Sequence, residues 1–113
     1  MARVVAYVPD LLFGSSVVSA LRAAGHEVEL RADLDGPVEA DLLIVDLTSE
    51  PDERIERARR SAVPKLAFYS HVEAEVRAQA QAAGFELVVP RSRMAREGGA
   101  LADRVLAGAG DEG

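Results

Sequence analysis

The chain contains no cysteine, so it has no disulfide framework, no thiol nucleophile and no thiolate metal site. Aromatic residues make up only 4% of it, too few for a platform on which nucleic-acid bases could stack. Basic residues are outnumbered as well: 13 Lys and Arg stand against 19 Asp and Glu, a formal charge of −6. A protein that binds nucleic acid neutralises phosphates with a basic face, so nucleic acid is set aside as a partner. No apolar stretch approaches the roughly 20 residues that span a bilayer, which sets aside a membrane segment. The sequence opens on the strand-like run Arg3–Val8 and shows no signal-peptide pattern, so a bacterial-type cytoplasm is the expected location. Without cysteine, the two histidines, His26 and His71, are too far apart to read as a zinc site, and neither metal nor cofactor is expected. Phe13-Gly-Ser-Ser16 follows the first strand but has neither phosphate-loop nor dinucleotide-fingerprint spacing. No Gly-x-Ser-x-Gly elbow is present for acyl transfer.

What remains is ordinary for a folded domain: 49% hydrophobic and 28% charged residues over 113 positions. One α/β domain is expected over residues 1–107, followed by a short Gly-rich acidic tail, 108–113. Residues 3–8 form a near-continuous apolar run, the mark of a strand buried on both faces. Residues 12–24 carry Val17, Val18, Leu21 and Ala24 at helical spacing, with Gly25 as the stop. Strands are predicted at 27–31, half-buried or at an edge, at 42–46, a central one, and at 65–69 and 85–89. Pro51 suits a first helical turn, and Ile55, Ala58 and Ala62 mark the buried stripe of a helix ending near Pro64. Arg54, Arg57, Arg59 and Arg60 alternate with Glu53 and Glu56, which reads as a solvated helix face. Ser70 and Glu73 form a capping box before a helix with Val72, Val76, Ala80 and Ala83 inward. Gly98 and Gly99 each cost about 1 kcal/mol inside a helix, so the last helix is expected to begin near Ala100.

Five strands separated by helices imply a parallel sheet with right-handed crossovers. The expected architecture is a flavodoxin-like three-layer sandwich of strand order 2-1-3-4-5. Only residues 32–41 join the second and third strands, and a parallel crossover usually takes a dozen or more. The second helix is therefore predicted to be shortened or missing.

Ligands of open α/β sheets bind beyond the carboxyl ends of the strands. Asp10, Asp46, Ser70, His71, Arg91 and Ser92 all fall there, and together could line a shallow pocket. Each also has a plain structural role available. Asp10 suits a loop or cap, Ser70 an N-cap, and His71 a solvent-facing first turn; Asp46 could bond loop amides. Arg91 could hold an anion or pair with Asp46. His26 follows a helix-stop glycine and is assigned no role.

These residues resemble the receiver domains of bacterial response regulators (CheY-like). Asp41-Leu-Leu-Ile-Val-Asp46-Leu is similar to the receiver's third strand, whose last Asp takes the phosphoryl group. Ser70 corresponds to the switch Ser/Thr after strand four, Arg91 to the Lys after strand five, and Ala82-Ala-Gly-Phe85 to the turn before that strand. Departures accompany the matches. The paired acids that hold Mg²⁺ at the end of strand one are replaced by Val8 and Pro9, with Asp10 one position beyond. Arg91 differs from Lys in shape and donor geometry, Ser92 replaces a Pro, and Val88 replaces the aromatic switch. The segments Pro9–Phe13, Ser70–Val72 and Arg91-Ser92 resemble a divergent, stand-alone group of receiver-like proteins.

The resemblance implies the fold, and a receiver frame with its metal site dismantled is expected to be a signalling or adaptor module, a binding protein rather than an enzyme, that acts without phosphorylation of Asp46. Its partner would be another protein or a second copy, held by the last strand and its two flanking helices. The second reading is a small-ligand or nucleotide-binding protein, or an enzyme, using the strand-end pocket.

Overall fold

A computed structural model describes residues 2–70 and 74–108. The chain runs β1 (Arg3–Tyr7), α1 (Leu11–Ala23), β2 (Glu27–Arg31), β3 (Leu42–Asp46), α2 (Pro51–Ala58), β4 (Lys65–Tyr69), α3 (Ala74–Ala82), β5 (Leu87–Pro90) and α4 (Arg91–Leu106). All strand pairs are parallel and the sheet order is β2-β1-β3-β4-β5. This is the expected doubly wound arrangement. No helix lies between β2 and β3, as the short 32–41 connection requires.

Strand alternation sorts the core into two layers. Val4, Ala6, Leu42, Ile44, Leu66, Phe68, Leu87 and Val89 face α1 and α4, where Val17, Leu21, Met94, Leu101 and Val105 meet them. Val5, Tyr7, Leu43, Val45, Ala67 and Val88 face α2 and α3, against Ile55, Ala58, Val76 and Ala80. β3 and β4 are buried along their whole length, which is why their sequences lack a polar alternation. On β2, Glu27 and Glu29 are exposed and Arg31 pairs with Glu29. These residues sit in register with Arg3, Val5 and Tyr7, so they mark the sheet face that no crossover helix covers beside β1.

Three boundaries differ from expectation. β5 begins at Leu87 rather than at residue 85, because Phe85 is a buried turn residue whose N–H bonds the Ala80 carbonyl. α2 stops at Ala58 and leaves Ala62 exposed. The segment beyond it is held by Lys65, whose Nζ donates to the carbonyls of Ser61 (2.6 Å) and Val63 (2.8 Å). Pro64 also biases Val63 away from helical backbone.

The largest difference is α4, which starts directly after β5 at Arg91 and runs through both glycines, with a kink at Glu97 (φ −126°, ψ 15°). Gly99 lies where α4 crosses α1: a Cβ there would stand 3.3 Å from the Ala20 carbonyl oxygen and 3.3 Å from the Ala24 Cβ. The close helix contact needs the missing side chain and outweighs the poor helix propensity.

Candidate functional site

Parallel strands bring the residues after β1, β3, β4 and β5 to one edge of the sheet. Asp10 follows β1 and is the N-cap of α1. Its Oδ1 accepts from the amides of Leu12 (3.0 Å) and Phe13 (3.1 Å), satisfying donors that the first helical turn leaves open. Its Oδ2 faces Arg91 Nη2 at 3.5 Å. The Arg91 guanidinium lies 4.3 Å above the centre of the Phe13 ring, and Phe13 in turn packs on Phe68 with ring centres 4.9 Å apart. Asp10 and Arg91 are each about half exposed. The pair therefore joins the starts of α1 and α4 at the surface, with the arginine stacked as well as paired.

Asp46 is in a different situation. Only 3% of it is exposed. Oδ1 accepts from the Thr48 amide (2.8 Å) and the Thr48 hydroxyl (2.5 Å), a side-chain turn that folds the chain back after β3. Oδ2 stands 3.6 Å from Arg54 Nη1, which also donates to the Asp46 main-chain oxygen at 2.9 Å. Arg54 is 7% exposed, and its guanidinium lies 5.6 Å from the centre of the Tyr7 ring.

The expectation of a solvated arginine face on α2 is thus corrected at one position. Arg57 and Arg59 pair with Glu53 and Glu56 on the surface, whereas Arg54 points inward. A signal was present in the sequence: residues 54, 55 and 58 share one face of a helix, so Arg54 lies on the stripe of Ile55 and Ala58. The left-handed Glu50 (φ 48°, ψ 50°) forms the entry to α2, and its carbonyl accepts from the Arg54 amide.

Among the described residues no hydrogen bond or ion pair joins Asp46 to Arg91; the two belong to separate clusters. Ser70 is half-buried just after β4, and Ser92 is exposed in the first turn of α4. His71, and the Glu73 half of the capping box, lie outside the described residues. A cavity of about 860 Å³ opens elsewhere, between the 34–38 loop and α2, beside the Asp35–Arg57–Glu53 ion pairs.

His26, without a role in the sequence reading, ties the opposite edge together. Its Nδ1 accepts from the Ala2 amide (3.2 Å), and its Nε2 lies 2.6 Å from Asp103 Oδ1 on α4. Only the tertiary fold brings these three residues together.

The Mg²⁺ of receiver domains demands near-octahedral oxygen ligands at close range. Asp46 has both carboxylate oxygens engaged, Asp10 is committed to α1 and Arg91, and the apolar Val8 and the imide Pro9 offer no side-chain oxygen. Among the described residues, no group of three or more His, Asp or Glu could hold a metal ion. The residues do not fit the ion.

Comparison with models of protein families and with curated proteins finds no match. Solved structures do match. The chain superposes on NtrX from Brucella abortus with a TM-score of 0.82 at 16% identity, covering 96% of this chain and 26% of that one. It spans only about a quarter of that longer protein. The non-phosphorylated HemR receiver domain from Leptospira biflexa matches with a TM-score of 0.78 at 18% identity, over 95% of both chains. A response regulator receiver protein from Burkholderia phymatum matches with a TM-score of 0.70 at 23% identity, over 99% of this chain and 100% of that one. The chain therefore has the receiver fold.

Proposed function

We propose that this receiver-fold chain is a signalling module that works by protein contact and without phosphorylation of Asp46. The observation that supports it is the state of the Asp46 carboxylate. Phosphotransfer to an aspartate needs an accessible carboxylate oxygen and a cation to balance the charge that develops on the phosphoryl group. Asp46 is buried, its Oδ1 accepts two hydrogen bonds from Thr48, and its Oδ2 faces Arg54. Arg91, at the position of the receiver lysine, is engaged with Asp10 and Phe13 instead.

The partner is a protein, held on the face of β5, α3 and α4. Ala74, Ala78 and Ala82 are exposed at successive i, i+4 positions of α3, a small-residue surface that a neighbouring helix could approach closely. Mg²⁺ and beryllofluoride, a phosphoryl mimic, added to ¹⁵N-labelled protein provide the test. Amide signals of Asp46, Thr48 and Ser70 are expected to stay in place. Saturable shifts running from Asp46 to Ser70 would overturn the reading.

A further inference from the structure

β2 is one edge of the sheet, and half of its main chain bonds no other strand. The Glu27 N–H donates to the Ala2 carbonyl (2.9 Å), and the Arg31 carbonyl accepts from the Val8 N–H (3.1 Å). Alternate residues of a parallel strand bond a given neighbour, so Glu27, Glu29 and Arg31 serve β1. The N–H and C=O groups of Val28 and Leu30 therefore point out of the sheet. Edges are commonly blunted by bulges or prolines, and β2 has neither; it keeps regular register with β1 over all five residues. Charge is the other common guard, and on β2 it is of both signs.

The adjoining flank of α1 is apolar and open. A Cβ at Gly14 would stand 3.1 Å from Leu30 Cδ1, so this side of the helix lies against β2. Leu11 and Val18 share the Gly14 stripe at i, i+3 and i+7, away from Phe13, which packs on Phe68 of β4. Leu11 is 73% exposed and its neighbour Leu12 88%; among the described residues no other large hydrophobic side chain is exposed.

We propose that β2 pairs antiparallel with β2 of a second copy of this chain, about a two-fold axis at Leu30. Charge selects both the occupant and the register. A pair centred on Glu29 sets that carboxylate against itself, and one centred on Val28 sets Glu27 against Glu29 twice; like charges directly opposite are destabilising. Centring on Leu30 places Glu29 opposite the partner's Arg31, twice by symmetry, on the face that no crossover helix covers. Leu30 then exchanges both of its main-chain bonds with the partner's Leu30. The same axis runs the two α1 helices side by side and turns Leu11 toward the partner's α1. β5 forms the opposite edge of the sheet, so this pairing leaves the β5, α3 and α4 face free. The inference does not depend on the proposed function.

The test is sedimentation velocity from about 10 μM to about 1 mM protein in about 0.15 M salt. The natural chain should pass from monomer to dimer mass over that range. Glu29→Arg sets like charges opposite each other, as does Arg31→Glu, so each should weaken dimerisation at least about tenfold. Mixed in equal amounts, the two variants carry complementary strands and should recover the natural affinity. The double variant Glu29→Arg/Arg31→Glu exchanges the charges of both pairs and should recover it alone. If a single variant does not fold, the double variant decides. In the natural chain, deuterium exchange at the Leu30 amide should slow as protein concentration rises. A natural chain that stays monomeric throughout overturns the proposal. So does a dimer indifferent to both substitutions, or one that they weaken with no recovery in the mixture or the double variant.

Discussion

Arg54 Nη1 lies 2.9 Å from the main-chain oxygen of Asp46 and 3.6 Å from its Oδ2, so one residue of α2 grips both backbone and side chain at the end of β3. Such a buried pair adds little net stability, yet removing one partner strands the other charge, at about 3–5 kcal/mol. Arg54→Met should therefore lower the unfolding free energy by about that much in urea titrations. Adding Asp46→Asn should return more than about 1 kcal/mol, because the stranded carboxylate is gone. Strictly additive losses in the two single variants and the double would show that the residues do not sense each other.

The glycine pair of α4 gives a contrast between adjacent positions. A Cβ at Gly98 meets only the flexible Met94 side chain, at 3.4 Å or more, and the Ala20 Cβ at 3.9 Å. One at Gly99 presses on the backbone of α1. Gly98→Ala should gain up to about 1 kcal/mol of helix propensity. In Gly99→Ala that gain should be outweighed by overpacking of about 1–3 kcal/mol. Differential scanning calorimetry should place Tm for Gly98→Ala above that for Gly99→Ala; the reverse order would mean that the two helices are not in tight contact.

Lys65 is buried at the start of β4, and burial pushes its ammonium below the usual 10.5, with Glu86 partly opposing the effect. Below its native value the chain is protonated folded or unfolded, and the penalty for burying the charge is fully present. Between that value and 10.5 the native chain releases the proton first while the unfolded chain keeps it, so stability from this group rises with pH. The Tm of the natural chain minus that of Lys65→Met should accordingly increase from about pH 7 to about pH 10. A flat or falling difference would place the ammonium in water.

Much of the fold could be read from local pattern. The unbroken apolar runs of β1, β3 and β4 identify central strands, and ten residues between β2 and β3 leave no room for a crossover helix. Gly99 could not be read that way. Helix propensity describes an isolated helix, whereas the glycine answers to Ala20 and Ala24, more than 70 residues earlier in the chain. Arg91 was legible as a strand-end cation, but its choice of Asp10 and Phe13 depends on how α1 and α4 start side by side.

The amino-acid sequence by itself determined the five strands, the first three helices and the shortage of acids beside Asp46, because each depends on periodicity or on residue identity alone, and the alternation of strands with right-handed crossovers set their parallel order. Only the tertiary structure decided that Arg54 turns inward to Asp46, that Arg91 serves Asp10, and that α4 starts at Arg91 and continues, past a kink at Glu97, through two glycines. Those outcomes depend on distances between elements remote in sequence, and a charge or a missing side chain carries no record of its partner until the elements pack.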